Sequence, residues 1–353
     1  MVDTIFHLFE FLDHSEDEGV AFRFLLKACK DQQLFINKAS SGIHLVLPII
    51  NSKLNSSASR FKGLLLLKTL LPQFPADVIE ENAVSWMQQC LKPTEAGENK
   101  QEVLDTTYQV LYTLLEMSEK FPEMRRPVSA NIVPKIIENF QKISLDEPSL
   151  SALKCIELLM MKYGPSCGQQ KNALEKCLFQ YIDCQDSCIS DRLARCVANL
   201  PLLGGGGSLG ANHVNRWTQD HQKLCATLHD ILDQLFCDIR EIPQKHIDMK
   251  CIFSSSEFPL DKALDLSAIM GIACRALAVN SRTIGKKVSN DITLTSVLLP
   301  EIHVAVFDLI NSLITCCRDV LVTYDSIICQ LVLQTLKWTS NKNWVCGVRK
   351  PYG

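Results

Sequence analysis

The sequence lacks the features that mark several functional classes. Its formal net charge is only −3 over 353 residues, so it has no strong excess of the basic residues with which many proteins bind nucleic acid. Its hydrophobic content of 47% excludes a disordered chain, because disordered chains have few apolar residues and a high net charge. The length instead allows about two or three folded domains, or one extended repeat array.

Cysteine is abundant, with 16 residues, but spacing typical of a metal site is missing. No C-x-x-C pair occurs. Cys184 and Cys188, one helical turn apart, supply two candidate ligands, whereas a structural zinc needs four. The N-terminus has no basic region before its short apolar stretch, so we expect no signal peptide. The cysteines are interpreted as buried thiols in a reducing compartment, and we expect neither a metal nor a cofactor.

Catalytic motifs are also missing. The pattern G-x-G-x-x-G occurs at Gly205, Gly207 and Gly210, but a dinucleotide site needs a preceding strand, and the segment before these glycines has a helical pattern. We interpret them as a flexible connection. Cys167 lies between a proline and a glycine and is the candidate for a reactive thiol, yet no base can be assigned to it. We therefore predict a non-enzymatic protein.

No uninterrupted apolar run is long enough to span a membrane. The most hydrophobic segment, residues 294–314, is broken by a proline and by several strongly polar residues. They are Pro300, Glu301, His303, Asp308 and Asn311. We therefore expect no membrane association.

The dominant pattern is that of amphipathic helices, with apolar residues recurring every three or four positions. Runs of Val, Ile and Thr typical of strands are scarce. The predicted helices are 18–31, 34–51, 58–73, 76–92, 101–121, 128–142, 148–163, 170–184, 189–200, 214–240, 259–279, 299–318 and 321–338. Pairs of such helices recur with a period of roughly 40 residues, which favours HEAT- or armadillo-like repeats over the tighter tetratricopeptide pattern. We predict an all-α solenoid of such repeats, and an irregular helical bundle is the alternative.

The domain prediction follows from breaks in this pattern. Residues 1–203 form a first helical-repeat region, and 204–213 are a glycine-rich loop. Residues 214–338 form a second helical-repeat region. Residues 339–353 have no helical period and are interpreted as an irregular segment that could represent an aberrant C-terminus.

Two segments fit the interaction motif L-x-x-L-L, in which three leucines form an apolar ridge on one helix. Such a ridge can dock in a hydrophobic groove of a partner such as a nuclear receptor. The pattern favours the core of their own repeats for the same leucines, because a solenoid buries the same spacing. Both interpretations stay open for the candidate protein-binding residues, which are Leu67, Leu70, Leu71, Leu111, Leu114 and Leu115.

Three segments together resemble a known family. The first segment is LLLLKTLLPQFPADVIEENAVSWMQQCL, and the third is LLPEIHVAVFDLINSLITCC. The second is longer and starts with YGPSCGQQKNALEKCLFQYIDCQDSC. The resemblance covers most of residues 40–335 and is to the N-terminal helical-repeat region of proline-, glutamic acid- and leucine-rich proteins, the animal counterparts of the yeast Rix-type ribosome-assembly factors. The most specific matches are Pro165, Cys167, Gly168, Leu200, Pro201 and Trp217. This chain departs from the family in having no glutamate-rich or proline-rich tract.

The resemblance implies a scaffold subunit of a nuclear complex, located in the nucleolus and nucleoplasm. That complex would serve assembly of the large ribosomal subunit and pre-rRNA processing, including removal of an internal transcribed spacer. The implied partners are a WD-repeat protein, a testis-expressed helical-repeat protein, a SUMO-specific protease and the Las-type nuclease complex, with indirect contact to the pre-ribosomal particle. The alternative is a transcriptional coregulator that binds nuclear hormone receptors through its L-x-x-L-L helices.

Overall fold

The computed structural model describes residues 18–32, 41–93, 100–144, 148–182, 184, 186–237, 265–280, 290–317 and 320–340. These residues form helices and turns, and no strand occurs among them, so the predicted all-α class is confirmed. The α-helices are α1 Glu18–Gln32, α2 Ser41–Asn55, α3 Arg60–Leu70, α4 Ala76–Cys90, α5 Lys100–Ser118, α6 Pro122–Pro127, α7 Val133–Phe140, α8 Leu150–Tyr163, α9 Lys171–Phe179, α10 Ser187–Asn199, α11 Ala211–Leu235, α12 Leu266–Ala278, α13 Asn290–Cys317 and α14 Asp325–Ser340.

The chain divides into two compact units, Met1–His213 and Val214–Gly353. In the first unit, α3, α5, α8 and α10 lie side by side, each packing on the next. The helices α2, α4, α7 and α9 form a second row that backs the first, with α2 on α3, α4 on α5, α7 on α8 and α9 on α10. The apolar faces of the two rows enclose one continuous core.

Prolines and caps set several helix boundaries in the first unit. Pro72 and Pro75 interrupt the chain between α3 and α4, as the sequence predicts, and a 3-10 turn covers Leu71–Gln73. The Ser149 hydroxyl accepts a hydrogen bond from the Ala152 amide and caps α8. The Asp186 carboxylate caps α10 in the same way.

Two predicted helices of the first unit are not single α-helices over their predicted length. The predicted helix 128–142 is split, because Pro134 has no N–H to continue an α-helical ladder and residues Val128–Ile132 widen into a π-turn before α7. The predicted helix 170–184 ends at Phe179, where tight turns with hydrogen bonds three residues apart replace the helix. Cys184 consequently precedes α10, so it is not on the same helical face as Cys188.

The glycine-rich segment packs as a defined corner of the first unit. The Gly204 amide donates to the Gly164 carbonyl at 2.9 Å. A Cβ atom at Gly168 would lie 2.6 Å from the Cα of Gly204, so only glycine allows this close approach. A 3-10 turn and α10 precede the loop, as expected for a connection that is not a dinucleotide site.

The second unit contains α11 to α14. Here α13 packs on α12, and α14 contacts α12. Arg275 on α12 joins this group to α11, because its guanidinium hydrogen-bonds the Asp233 carboxylate at 2.5 Å and the His229 ring at 3.0 Å. The polar segments 243–257 and 281–289, and residues 341–353, lie outside the described residues.

The helix α13 differs from the predicted helix 299–318, because it begins at Asn290 and contains Pro300 in its interior. Proline removes one backbone donor, but packing on both sides of it, at buried Leu299 before it and buried His303 after it, retains the helix. Within α13, Thr295–Thr315 is long and apolar enough to cross a membrane by length and composition, with a mean hydropathy of 1.7 and 28% of the segment buried. Core helices of globular domains satisfy the same criteria, so this finding alone does not assign a membrane span.

Candidate protein-interaction site

The two L-x-x-L-L ridges lie in the core of the first unit. Leu67 and Leu70 are on α3, and Leu71 begins the 3-10 turn that follows it. The ridge of the second motif is on α5. All six leucines have 0 to 1% of their surface exposed. Each ridge is therefore part of the core of the first unit, and a partner could reach it only if the surrounding helices opened.

Polar side chains join α5 to the neighbouring α8 along most of their length. Near one end of the pair, the Ser149 hydroxyl donates to the Asp105 carboxylate at 2.6 Å. Near the other end, Lys162 pairs with Glu119 at 2.7 Å. Two further links are Gln109 to Ser151 at 3.2 Å and Ser118 to Tyr163 at 2.9 Å. The two helices are thereby held in a fixed register.

The same row of helices continues to α10 through an ion pair. Arg192 on α10 contacts Glu157 on α8, and the two side chains are 28% and 12% exposed. The Cys196 thiol also lies 3.6 Å from the Leu153 carbonyl oxygen. Because partial burial reduces screening by solvent, this pair constrains its helices more than a fully exposed pair would.

A groove of about 630 Å³ runs across the outer face of α5, α8 and α10. It is open to solvent along part of its wall. Its lining combines amide, hydroxyl, charged and apolar side chains. The lining residues are Gln109, Tyr112, Thr113, Ser151, Lys154, Glu157, Leu158, Met161 and Arg192. Sequence reasoning missed this site, because its residues come from three helices and no local motif connects them.

The candidate nucleophile Cys167 is unsuited to catalysis in this structure. Its side chain is fully buried, and burial raises the pKa of the thiol to about 12. A thiol with so high a pKa is almost entirely protonated at neutral pH, whereas the thiolate is the reactive form. Burial also raises the pKa of Cys90 and of Cys196 to about 12. These thiols act as small apolar groups of the core.

Metal ligands do not come together in the described part of the chain. No group of three or more His, Cys, Asp or Glu side chains there could hold an ion. Cys184 is half-buried and Cys188 is exposed, and neither is joined by further ligands among these residues.

Comparison with known proteins places the first unit in a family. Residues 13–188 match the RIX1 family, whose description is rRNA processing and ribosome biogenesis. This match covers about half of the chain and includes α1 to α9, so the polar links between α5 and α8 lie within it.

The similarity to individual proteins extends over nearly the whole chain. The chain is 24% identical over 344 residues to proline-, glutamic acid- and leucine-rich protein 1 of Mus musculus, covering 88% of this chain and 30% of that protein. It is 26% identical over 349 residues to the Xenopus laevis protein of the same name, covering 89% and 34%. The chain spans about a third of the length of these curated relatives. The family match and these similarities agree with the resemblance seen in the sequence, and the chain belongs to the RIX1 family of rRNA-processing and ribosome-biogenesis proteins.

Proposed function

We propose that this chain is a non-enzymatic scaffold subunit of a nuclear complex that assembles the large ribosomal subunit and processes pre-rRNA. The observation that supports it most is the match of residues 13–188 to the RIX1 family. A scaffold subunit acts by holding partners in place, which requires a rigid body with an extended surface. The linked helices α5, α8 and α10 meet that requirement.

We further infer that the first unit is an α-solenoid of HEAT- or armadillo-like repeats. Most of its side-chain links between neighbouring helices join residues 42 to 48 positions apart, whereas Asn51–Trp86 and Glu157–Arg192 are 35 apart. Gln109 and Ser151 are 42 positions apart, Asp105 and Ser149 are 44, and Asn139 donates to the Leu91 carbonyl 48 positions away. A recurring separation of this size is expected when each helical hairpin contacts the same part of the next hairpin.

The proposed partners are those implied by the sequence resemblance. They are a WD-repeat protein, a testis-expressed helical-repeat protein, a SUMO-specific protease and the Las-type nuclease complex. In this proposal the chain is located in the nucleolus and nucleoplasm, contacts the pre-ribosomal particle indirectly, and supports removal of an internal transcribed spacer. The buried, protonated thiols favour a non-enzymatic role over thiol catalysis.

Affinity purification from nuclear extract, followed by quantitative mass spectrometry, tests the proposal. We expect the WD-repeat protein, the protease and the Las-type subunits to be enriched together with precursors of the large ribosomal subunit. Depletion of the chain should cause spacer-containing pre-rRNA to accumulate. Recovery of the intact, folded chain with none of these proteins, and unchanged pre-rRNA after depletion, would contradict it.

Binding of nuclear hormone receptors is the alternative function, and it stays a prediction. Both L-x-x-L-L segments are helical, as receptor docking requires, but their leucines are buried. Docking therefore requires local opening of α3 or α5. Receptor affinity should be measured for a synthetic peptide of residues 62–74 and for the whole folded chain. Equal affinities would favour a coregulator, whereas binding by the peptide alone would assign the ridge to the core.

A further inference from the structure

The groove across α5, α8 and α10 has the composition of a protein-binding surface. Tyr112, Met161 and Arg192 belong to the residue types that are enriched where proteins meet. Met161 is 58% exposed, which is unusual for a long apolar side chain on a helix with a well-packed opposite face. Methionine also adapts its shape to different partners at low cost.

The charges that line the groove do not balance. Lys154, Glu157 and Arg192 are its charged residues, and Glu157 is paired with Arg192. Lys154 lies on the exposed side of α8, and no carboxylate among the described residues forms an ion pair with it. One positive charge therefore remains for a ligand. A carboxylate placed beside Lys154 would complete the charge pattern of the groove.

The polar groups of the groove favour an extended chain over a docked helix. Gln109 and Ser151 bond each other through the amide N–H and the hydroxyl oxygen, which leaves the Gln109 carbonyl oxygen and the Ser151 hydroxyl hydrogen for a ligand. A helix docks through an apolar face and would cover these two groups without offering them hydrogen bonds. Covering an unpaired polar group costs about 1 to 3 kcal/mol. An extended peptide carries one free N–H and one free C=O at each residue, so it can pair with these side chains.

The walls of the groove are already ordered before any ligand binds. Gln109 is held by Ser151, and Arg192 is held by Glu157. The ion pair of Glu119 with Lys162 and the bond of Asp105 to Ser149 fix the register of α5 and α8 on either side. A preformed site avoids much of the ordering cost of binding.

We propose that this groove binds an extended peptide segment of a partner protein, in which an Asp or Glu that pairs with Lys154 lies next to an apolar residue that packs on Met161. This deepens the proposed scaffold function and rests on it, because it names one surface and the chemistry of the segment that the surface holds.

A library of random twelve-residue peptides, displayed on phage and selected on the purified full chain, tests the proposal. Enriched peptides should share an acidic residue beside an apolar one. In fluorescence anisotropy, Lys154→Glu should weaken binding of the strongest peptide about tenfold, because it replaces an attraction by a repulsion. Met161→Ala should weaken it about fivefold. Changing the acidic residue of the peptide to lysine should restore binding to Lys154→Glu.

Lys176→Glu is the matched control, because Lys176 is an exposed lysine on α9 that does not line the groove. It carries the same charge change and should leave peptide affinity unchanged. Circular dichroism and the melting temperature should be the same for both lysine variants, since both positions are exposed.

Three results would overturn the proposal. In the first, the selected peptides share no consensus. In the second, the strongest peptide binds the wild type and Lys154→Glu with equal affinity. In the third, no peptide is enriched, and a single-stranded RNA 12-mer binds with an affinity that depends on Lys154. The affinity purification measures the scaffold role independently of peptide binding to the groove. If Lys154→Glu binds no peptide yet wild type and variant recover the same assembly factors, the scaffold role stands and the groove plays no part in assembly.

Discussion

The helices α3 and α5 of the first unit bury their leucine ridges, whereas α11 and α14 of the second unit leave large apolar side chains exposed. Leu67 on α3 and Leu111 on α5 are fully buried. Leu224 on α11 and Leu333 on α14 are 58% and 57% exposed. All four belong to amphipathic helices, so amphipathic spacing does not by itself decide burial. A ridge is covered when helices pack on it from both rows.

Hydrogen bonding shows a related difference. In the first unit, buried Arg60 donates to the Leu54 carbonyl at 2.8 Å and to the Asn55 carbonyl, so it closes the end of α2 with two bonds. In the second unit, buried His303 donates to the Val279 carbonyl at 3.0 Å, just after α12, and its ring also interacts with the Ala276 carbonyl. Each unit thus caps a helix with a buried side chain from a following helix, through a charged guanidinium in the first unit and an imidazole in the second.

The largest expected effect comes from the leucines. Replacing Leu70 and Leu71 together with alanine should destabilise the first unit by about 2 to 5 kcal/mol for each leucine, through lost burial and the cavity left behind. The matched replacement of Leu333 and Leu336 in the second unit should cost within about 0.5 kcal/mol each, because both are 57% exposed. Hydrogen exchange followed by mass spectrometry reports the stability of each helix in the full chain. Similar losses for both pairs would show that the two units do not differ in this way.

This comparison also defines what the sequence could predict. Spacing predicted the helices that carry both L-x-x-L-L motifs, because a 3.6-residue period is a local signal. It could not decide whether Leu67 and Leu111 face a core or a partner, because both cases need the same ridge. The π-turn at Val128–Ile132 was missed since it depends on a single absent donor at Pro134.

The groove was beyond prediction for a different reason. Tyr112, Lys154 and Arg192 come together only because three helices separated in the sequence pack side by side. Exposed polar residues on a helix have no period that distinguishes a binding surface from ordinary solvated surface. The family, unlike the groove, could be recognised from the sequence alone, because similarity over many positions carries information that no single motif does.

The buried caps should give the next largest effect. Arg60→Ala removes two charge-assisted bonds and leaves carbonyl groups of α2 unpaired, so it should cost about 3 kcal/mol. His303→Ala removes the neutral bond to the Val279 carbonyl and the interaction with the Ala276 carbonyl, and it should cost about 1 to 2 kcal/mol because no charged donor is involved. Chemical denaturation, monitored by hydrogen exchange in α2 and in α12, measures both. A smaller loss for Arg60→Ala than for His303→Ala would contradict this ranking. Arg60→Lys is the control, since it keeps the charge but not the geometry of the two bonds.

The N-terminal caps of helices should give a smaller difference. Ser149 caps α8 and also bonds Asp105 on α5, and it is buried. Asp265 caps α12 at 3.0 Å and is exposed. Ser149→Ala should cost about 1 to 2 kcal/mol, and Asp265→Ala about 0.5 to 1 kcal/mol. Equal costs, measured by the same exchange experiment, would show that the additional bond to Asp105 contributes nothing.

The smallest effect concerns pH and involves one group. Burial lowers the pKa of His303 below its ordinary value of 6.5, although the backbone carbonyls of Val279 and Ala276 oppose this shift. Well above pH 6.5 the imidazole is neutral in both the folded and the unfolded chain. As the pH falls below 6.5, the unfolded chain binds a proton that the folded chain does not yet bind, so the second unit loses stability until the pH passes the folded pKa.

The first unit provides the contrast for this test. Its thiol and tyrosine groups with raised pKa, such as Cys90, Cys167 and Tyr181, are neutral in both states between pH 7 and 5 and cause no slope there. Exchange rates in α12 should therefore rise between pH 7 and 5, after correction for intrinsic exchange, by more than those in α8. His303→Gln keeps a donor for the Val279 carbonyl but cannot take up a proton, so it should remove the additional slope. If the slope persists in His303→Gln, a different group causes the acid sensitivity of the second unit.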